Sequence, residues 1–219
     1  MIKRKTLLFL SLIIFFLFIY FSYLVAKQRF IQLDFNTTIK LQDHLPRLLT
    51  APSLLLTLIG SIEFSSLVWL SLLIFALLKK WWLTIIFLLL FPLGLMIELY
   101  GKTFVHHPSP PQFLLKGVLS LGLPKYYISE QFAYPSGHMF RTTFISTFLL
   151  GLIVVRHLKQ QMLAFWVAAL FLLAMAVTRI FLGEHWLSDV IGGLLLGLSF
   201  GLLTWITIPA KTKVISSKE

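Results

Sequence analysis

The sequence predicts an all-α membrane protein with six transmembrane helices, and two observations carry this prediction. Of the 219 residues, 58% are hydrophobic and only 12% are charged, with a mean hydropathy of +0.90. A soluble domain is about 45–50% apolar and about 25% charged, so the outside of this chain must face lipid. The apolar residues also fall into runs near the length of about 20 residues that a membrane-spanning helix needs. We therefore expect one membrane domain over residues 1–219, and exclude a soluble globular protein, a disordered chain and a collagen-like fibre.

Six apolar runs account for the predicted helices, in order along the chain. They are Leu7–Ala26, Leu54–Leu78, Leu83–Tyr100, Met139–Val155, Met162–Leu182 and Trp186–Ile208. The first run has no charge and follows the basic residues Lys3, Arg4 and Lys5. A signal peptide begins in the same way, but its apolar core is usually about 7–15 residues long and a cleavage site of small residues follows it. We therefore expect the first helix to be retained.

The distribution of lysine and arginine predicts the orientation. The formal net charge is +11, and the basic residues lie between apolar runs, as in loops beside anionic lipid headgroups rather than on a surface that binds nucleic acid. The two tails and the turns at Lys79–Lys80 and Arg156–Gln161 carry ten Lys or Arg residues in short segments, against seven in the long loops Lys27–Pro52 and Lys102–Tyr134. Because short basic loops stay in the cytoplasm, we expect both termini inside and both long loops outside a bacterial plasma membrane.

This topology brings ionisable side chains that are distant in sequence to the outer end of the membrane. A charge at a helix centre costs about 2.5–3.5 kcal/mol, so such residues usually line a cavity or pair with one another. We therefore expect a functional site there, although an isolated pair such as Glu98 with Lys102 also fits a structural role. The residues gathered at this end are Glu98, Lys102, His138, Arg141, Arg179, His185 and Asp189. Glu63 lies deeper in its run, where we expect only a buried hydrogen bond.

His185 and Asp189 form a pattern typical of nucleophilic catalysis. They are four residues apart at the start of the last run, so we expect both in the first helical turn and on one face. A carboxylate there can accept the imidazole N–H, which fixes the tautomer and leaves the other ring nitrogen as a nucleophile.

The remaining polar residues suit a phosphate group. Gly137 allows the backbone to approach a phosphate closely, and Ser136 offers a hydroxyl beside it. His138 can protonate a departing oxygen. Arg179 suits bidentate contact with phosphate oxygens, and Lys102 adds a point charge.

Three segments of the chain resemble the motifs of the type 2 phosphatidic acid phosphatase family of membrane lipid phosphatases. The family pattern is Lys-x6-Arg-Pro, then Pro-Ser-Gly-His, then Ser-Arg-x5-His-x3-Asp. The segments are, in order, Lys102–Pro111, Tyr134–His138 and Thr178–Asp189. The second motif is present in full, and the third differs only in that Thr178 replaces the serine. The resemblance covers Lys102 to Asp189 and implies the six-helix phosphatase and haloperoxidase type of bundle.

The resemblance implies a metal-independent lipid phosphatase that works through a phosphohistidine. It implies that His185 attacks the phosphorus, that Asp189 orients His185, and that His138 acts first as an acid and then as a base. The residues that it implies to hold the phosphate are Lys102, Ser136, Gly137 and Arg179. No metal and no cofactor is implied, which agrees with the absence of cysteine and of a carboxylate cluster on the predicted outer side. The implied partners are the membrane and a lipid phosphate or diphosphate, such as polyprenyl diphosphate, phosphatidic acid or phosphatidylglycerophosphate, with no nucleic acid.

The first motif departs from the family pattern, because Ser109 occupies the position of the family arginine. Serine cannot neutralise a phosphate. Arg141 lies one helical turn after His138 on the same face, so it is the first candidate to supply the missing cation; otherwise it pairs with Glu98 or reaches the lipid headgroups. His107 is a weaker candidate for a phosphate contact.

Two other functions stay open at this stage. A chain that lacks one cation is also compatible with a non-catalytic or weakly active relative that binds phosphate-headed lipids, although retention of His138, His185 and Asp189 favours an enzyme. A transporter would carry polar residues along the whole membrane depth, whereas here they gather at one end. The ladder Gly193, Gly197 and Gly201 predicts close helix packing.

Overall fold

The structure, a computed structural model, describes residues 3–117, 132–156 and 159–210. Every regular element in these ranges is a helix, which confirms the predicted all-α class. Two short 3-10 turns, Arg47–Leu49 and Gln112–Leu114, accompany the α-helices. The α-helices are α1 (Arg4–Ala26), α2 (Ile31–His44), α3 (Thr50–Gly60), α4 (Ile62–Leu78), α5 (Trp82–Leu88), α6 (Leu90–Phe104), α7 (Gly137–Val155), α8 (Gln161–Phe181) and α9 (Leu187–Ile206).

The chain is an integral membrane protein with the predicted number of spans when one bent pair is counted as a single span. The pair consists of Arg47–Gly60 and Ile62–Leu78, with 42° between its halves. Five further helices in the described ranges are long and apolar enough to cross a bilayer: Arg4–Ala26, Trp82–Phe104, Gly137–Val155, Gln161–Phe181 and Leu187–Ile206. Their many exposed large apolar side chains are those expected to face lipid.

The second span breaks between α3 and α4, at Gly60 and Ser61. Glycine and serine are residue types at which helices often kink, and the Ser61 hydroxyl accepts the Phe64 backbone N–H at 3.2 Å to cap α4. Glu63 therefore lies in the first turn of α4, where the helix dipole favours a carboxylate. The expectation that Glu63 lies deep in one continuous helix was wrong, because the helix is interrupted although the apolar run continues.

The predicted loop Lys27–Pro52 contains a helix, α2, that the sequence did not predict. α2 packs against α8 and α9. Gln42 near its end donates to the carbonyl oxygens of Leu114 at 2.7 Å and Phe181 at 2.9 Å. α2 is therefore fixed at the end of the bundle where α8 ends.

α7 and α9 pack backbone against backbone, and the glycine ladder makes this possible. A Cβ at Gly193 would lie 2.3 Å from the Ser136 carbonyl oxygen, and a Cβ at Gly197 would lie 2.7 Å from the Phe140 carbonyl oxygen. A Cβ at Gly201 would be equally crowded. The close packing predicted from the ladder is confirmed.

Candidate active site

The ionisable residues meet at one end of the bundle, where α6 and α8 end and α7 and α9 begin. The Ser136 backbone N–H donates to the Asp189 carbonyl oxygen at 2.9 Å, which ties the start of α7 to the first turn of α9. The Ala133 N–H donates to the His107 carbonyl oxygen at 3.0 Å. The segments before α7 and after α6 are therefore joined above the same helix ends.

His185 and Asp189 make the contact that their spacing predicts. The His185 Nδ1 lies 3.3 Å from the Asp189 Oδ2, and Asp189 is fully buried. Trp186 is the N-cap residue of α9, in an extended conformation, and the Asp189 carboxylate accepts its backbone N–H at 2.9 Å. His185 therefore precedes the helix instead of lying in its first turn as expected, and it reaches Asp189 from outside the helix.

The surroundings of His185 favour its neutral ring. Burial lowers the pKa of His185 well below its usual value, and the positive charges of Arg179, Lys102 and Arg141 lower this pKa further. A backbone hydrogen bond with Ala133 acts in the opposite direction but has a smaller effect. The neutral imidazole is the form that can act as a nucleophile.

Ser136, Gly137 and His138 form the start of α7. The Ser136 hydroxyl is buried and has no hydrogen-bond partner among the described residues, and an orphaned buried hydroxyl suits a bound polar ligand. Gly137 is needed for close approach, since a Cβ there would lie 1.8 Å from the Glu98 Oε1. His138 is half-buried and contacts Gly60, where a Cβ would lie 2.9 Å from the His138 Cδ2.

Glu98 pairs with two of the predicted cations. Its Oε1 lies 3.2 Å from the Lys102 Nζ, and its Oε2 lies 2.8 Å from the Arg141 Nη1. The Arg141 Nε also donates to the Gly60 carbonyl oxygen at 3.1 Å, at the end of α3. Arg141 thus makes the Glu98 pair that the sequence left open, and its contribution to phosphate binding stays a prediction.

Arg179 is buried with part of its guanidinium unpaired. Its Nη2 contacts the Glu184 carboxylate, while its Nε and Nη1 have no hydrogen-bond partner in the part of the chain that the structure describes. Buried donors without acceptors are costly, and phosphate oxygens would supply the acceptors. Sequence reasoning missed Glu184, although its place inside the third motif, next to His185, was a signal that could have found it.

The first motif places its two candidate residues differently. Ser109 is exposed. His107 is buried, and its Nε2 lies 3.5 Å from the Asp34 carboxylate and 3.6 Å from the Asp189 carboxylate. The Nε2 of His107 therefore faces acidic groups. Sequence reasoning also missed Asp34, because it lies on α2 and belongs to no motif.

Taken together, the contacts place the buried His185 ring next to Asp189 and among three cationic side chains. Lys102, Arg141 and Arg179 supply positive charge around His185, and Asp189 supports the ring from behind. In the described ranges, no group of three or more His, Asp or Glu side chains is arranged to hold a metal ion. The arrangement suits transfer of a phosphoryl group to a histidine.

Two comparisons with known proteins identify the family and the fold. Residues 83–213 match the family described as the PAP2 superfamily. Among solved structures, the chain is similar to the first transmembrane PAP2 type phosphatidylglycerolphosphate phosphatase from Bacillus subtilis, with a TM-score of 0.69 and 20% sequence identity. The match covers 89% of this chain and 93% of that chain. Since the family match begins at residue 83, α1–α4 lie before it.

Replacing Gly137 with alanine is expected to lower phosphatase activity by about 100-fold or more, because the site loses its alignment. The new Cβ, 1.8 Å from the Glu98 Oε1, would force the Glu98 carboxylate away from Lys102 and Arg141. Phosphate release from a lipid phosphate by the purified variant measures this loss.

Gly151→Ala is the matched control, at the other end of α7. There the new Cβ would lie 2.6 Å from the Trp205 Cγ. This variant is expected to melt at a lower temperature yet keep its kcat/KM within about threefold, since uncoupled sites act independently. Equal losses of activity in both variants would show that crowding α7 anywhere disables the protein, against the interpretation of Gly137.

Proposed function

The chain belongs to the PAP2 superfamily, and we propose that it is an integral membrane phosphatase that hydrolyses a phosphomonoester or diphosphate on a lipid. One observation carries the proposal: the buried His185 ring lies 3.3 Å from the Asp189 carboxylate, at a place where Lys102, Arg141 and Arg179 contribute positive charge. Phosphoryl transfer needs this combination of an in-line nucleophile and positive charge around the equatorial oxygens.

The proposed reaction has two steps through a phosphohistidine. In the first, the His185 nitrogen that does not face Asp189, Nε2, forms a bond to phosphorus, the bond from phosphorus to the leaving oxygen breaks, and His138 gives that oxygen a proton. Asp189 stabilises the positive charge that develops on His185. In the second, water attacks phosphorus, His138 takes a proton from the water, and the bond to His185 breaks to release phosphate.

The phosphate would be held by Lys102, Ser136, Gly137 and Arg179. The unpaired buried donors of Arg179 and the unpaired hydroxyl of Ser136 support these assignments. A lipid substrate is supported by the position of the site at the end of membrane-spanning helices, where a headgroup lies. Polyprenyl diphosphate, phosphatidic acid and phosphatidylglycerophosphate are the candidate substrates, and phosphate release from a panel of these lipids would separate them.

One alternative function is supported by a specific observation. Ser109 is exposed, and Arg141 is already engaged by Glu98 and the Gly60 carbonyl. A site one cation short fits a weakly active or non-catalytic protein that binds phosphate-headed lipids. Tight binding of the lipid panel without release of phosphate would favour this alternative.

His185→Ala is expected to lower kcat by about 10³-fold or more, because it removes the nucleophile. Phosphate release from the preferred lipid in detergent micelles measures kcat. Rapid acid-free quenching with ³²P-labelled lipid should trap a labelled protein in the wild type and none in the variant.

His44→Ala serves as the control, since His44 is an exposed histidine on α2 whose Nδ1 lies 2.8 Å from the Lys40 carbonyl oxygen of the same helix. It should leave kcat unchanged. Substantial hydrolysis by a folded His185→Ala protein would remove His185 from the role of nucleophile.

We also propose that the reaction needs no divalent metal, because Lys102 and Arg179 supply the charge that a metal would otherwise provide. Activity should persist within about twofold after dialysis against EDTA. Loss of activity in EDTA and its return with magnesium would contradict the proposal.

We further propose that the site faces away from the cytoplasm. Basic residues gather at the opposite end of the bundle, where Arg4 donates to the Ile208 carbonyl at 3.2 Å and the Arg156 guanidinium lies 4.8 Å from the Trp81 ring centre. A basic end is expected to be cytoplasmic. The orientation predicted from the sequence also used the basic residues of the tail after Ala210, and these lie outside the described residues.

Single cysteines test the orientation, since the natural chain has none. A membrane-impermeant thiol reagent should label Gln112→Cys in intact cells and should reach Gln160→Cys only after lysis, because both positions are exposed and lie at opposite ends of the bundle. The reverse labelling pattern would place the site in the cytoplasm.

A further inference from the structure

A second buried polar cluster lies behind Asp189, and the reaction described above does not use it. Its members are Asp34 on α2, His107 after α6 and Ser188 in the first turn of α9, and each is at most 2% exposed. Asp34 accepts two hydrogen bonds from one residue: its Oδ1 accepts the Ser188 backbone N–H at 2.8 Å, and its Oδ2 accepts the Ser188 hydroxyl at 2.7 Å. Asp34 therefore holds the beginning of α9 from a helix distant in sequence.

These bonds determine which nitrogen of His107 carries hydrogen. Because the Ser188 hydroxyl donates to Asp34, its oxygen can only accept from the His107 Nε2, which lies 3.0 Å away. The Nε2 must therefore be protonated. The same nitrogen lies 3.5 Å from the Asp34 Oδ2 and 3.6 Å from the Asp189 Oδ1, so its N–H, which donates to Ser188, also lies beside two carboxylate oxygens.

The carboxylate oxygen of Asp189 that lies nearest to the His107 Nε2 is Oδ1. Among the described residues that oxygen has no hydrogen-bond partner, although it is fully buried. The other carboxylate oxygen, Oδ2, faces His185 and the Trp186 N–H. The His107 Nε2 thus lies 3.6 Å from the Asp189 oxygen that His185 does not occupy.

The main chain of His107 supports the other side of His185. The His107 carbonyl oxygen accepts the Ala133 N–H at 3.0 Å, and the Ala133 backbone makes a hydrogen bond with His185. Movement of His107 would therefore disturb His185 by two routes.

We propose that His107, fixed by Asp34 and Ser188, is a positioning residue for the His185–Asp189 pair. The predicted effect of His107 on catalysis rests on the proposed function, whereas the positioning contact itself does not. His107 acts by holding the Asp189 carboxylate in the plane that His185 requires, and it makes no contact with phosphate. Asp34, on which this support depends, lies outside the residues that match the family.

The charge state of His107 agrees with a role as a neutral donor. Burial lowers the pKa of His107 to about 4, so its ring is uncharged near neutral pH. An uncharged ring cannot replace the cation that Ser109 lacks. Its contribution to Asp189 is then the dipole of the Nε2–H group, which donates to Ser188 and lies 3.6 Å from the Asp189 Oδ1.

Three variants test the proposal: His107→Leu removes the N–H, His107→Gln keeps an amide N–H at similar reach, and His106→Leu changes the exposed neighbouring histidine. His107→Leu should lower kcat by about 10- to 100-fold, the scale of a misplaced catalytic group, with KM changed less than threefold. His107→Gln should recover most of kcat, and His106→Leu should match the wild type. A raised KM at unchanged kcat, or no recovery in His107→Gln, would overturn the proposal.

A second measurement does not depend on activity. In protein with ¹⁵N-labelled histidine, the His185 ring signal, assigned from its loss in His185→Gln, should shift in His107→Leu and stay in place in His106→Leu. An unmoved His185 signal would overturn the proposal even in an active enzyme. If the wild-type protein hydrolyses no lipid but the His185 signal still shifts in His107→Leu, the proposed function is refuted and the positioning contact stays supported.

Asp34→Asn covers the case in which His107→Leu does not fold. The amide NH₂ group in place of Oδ2 would donate to the Ser188 hydroxyl, whose proton would then point toward His107 and oppose the Nε2 hydrogen. The His185 signal should shift and kcat should fall as in His107→Leu. Wild-type values for both would overturn the proposal.

Discussion

Neutralisation of cations inside an apolar bundle is the constraint on which the site depends. A charge placed at lipid depth is costly unless an opposite charge or a hydrogen bond meets it. Glu98 meets both Lys102 and Arg141, and Glu184 meets Arg179. The Glu98–Arg141 pair joins α6 to α7, and the Arg179–Glu184 pair ties the end of α8 to the turn that follows it.

Helix packing adds the second condition for catalysis. The absent side chain at Gly193 lets α9 approach the Ser136 carbonyl, so the Ser136 N–H can reach the Asp189 carbonyl oxygen. The helix that carries His138 is thereby bonded to the helix that supports His185. Close packing at a glycine usually contributes only to stability. Here the packing at Gly193 also sets the position of His138 relative to His185.

Sequence reasoning predicted the fold and the meeting of the candidate residues at one end of the bundle, because both follow from short-range patterns. Hydropathy runs identify the spans, and the third motif places His185 beside its carboxylate. The break at Gly60 was missed because the apolar run continues through it. Asp34 was missed because it meets Ser188 across 154 positions of the chain, and no local pattern reports such a contact. The sequence left Arg141 with three possible partners: a phosphate, Glu98 or the lipid headgroups. Only the packing of the helices shows that it pairs with Glu98.

The helices that precede the family match supply parts of the site. Asp34 on α2 caps the start of α9, and Gly60 at the end of α3 contacts His138 and accepts a hydrogen bond from Arg141. The three motifs are therefore not a portable module: a fragment that begins at residue 83 would keep each of them yet leave α9 without its cap. Residues 1–78 therefore supply contacts that the segment carrying the motifs cannot make by itself.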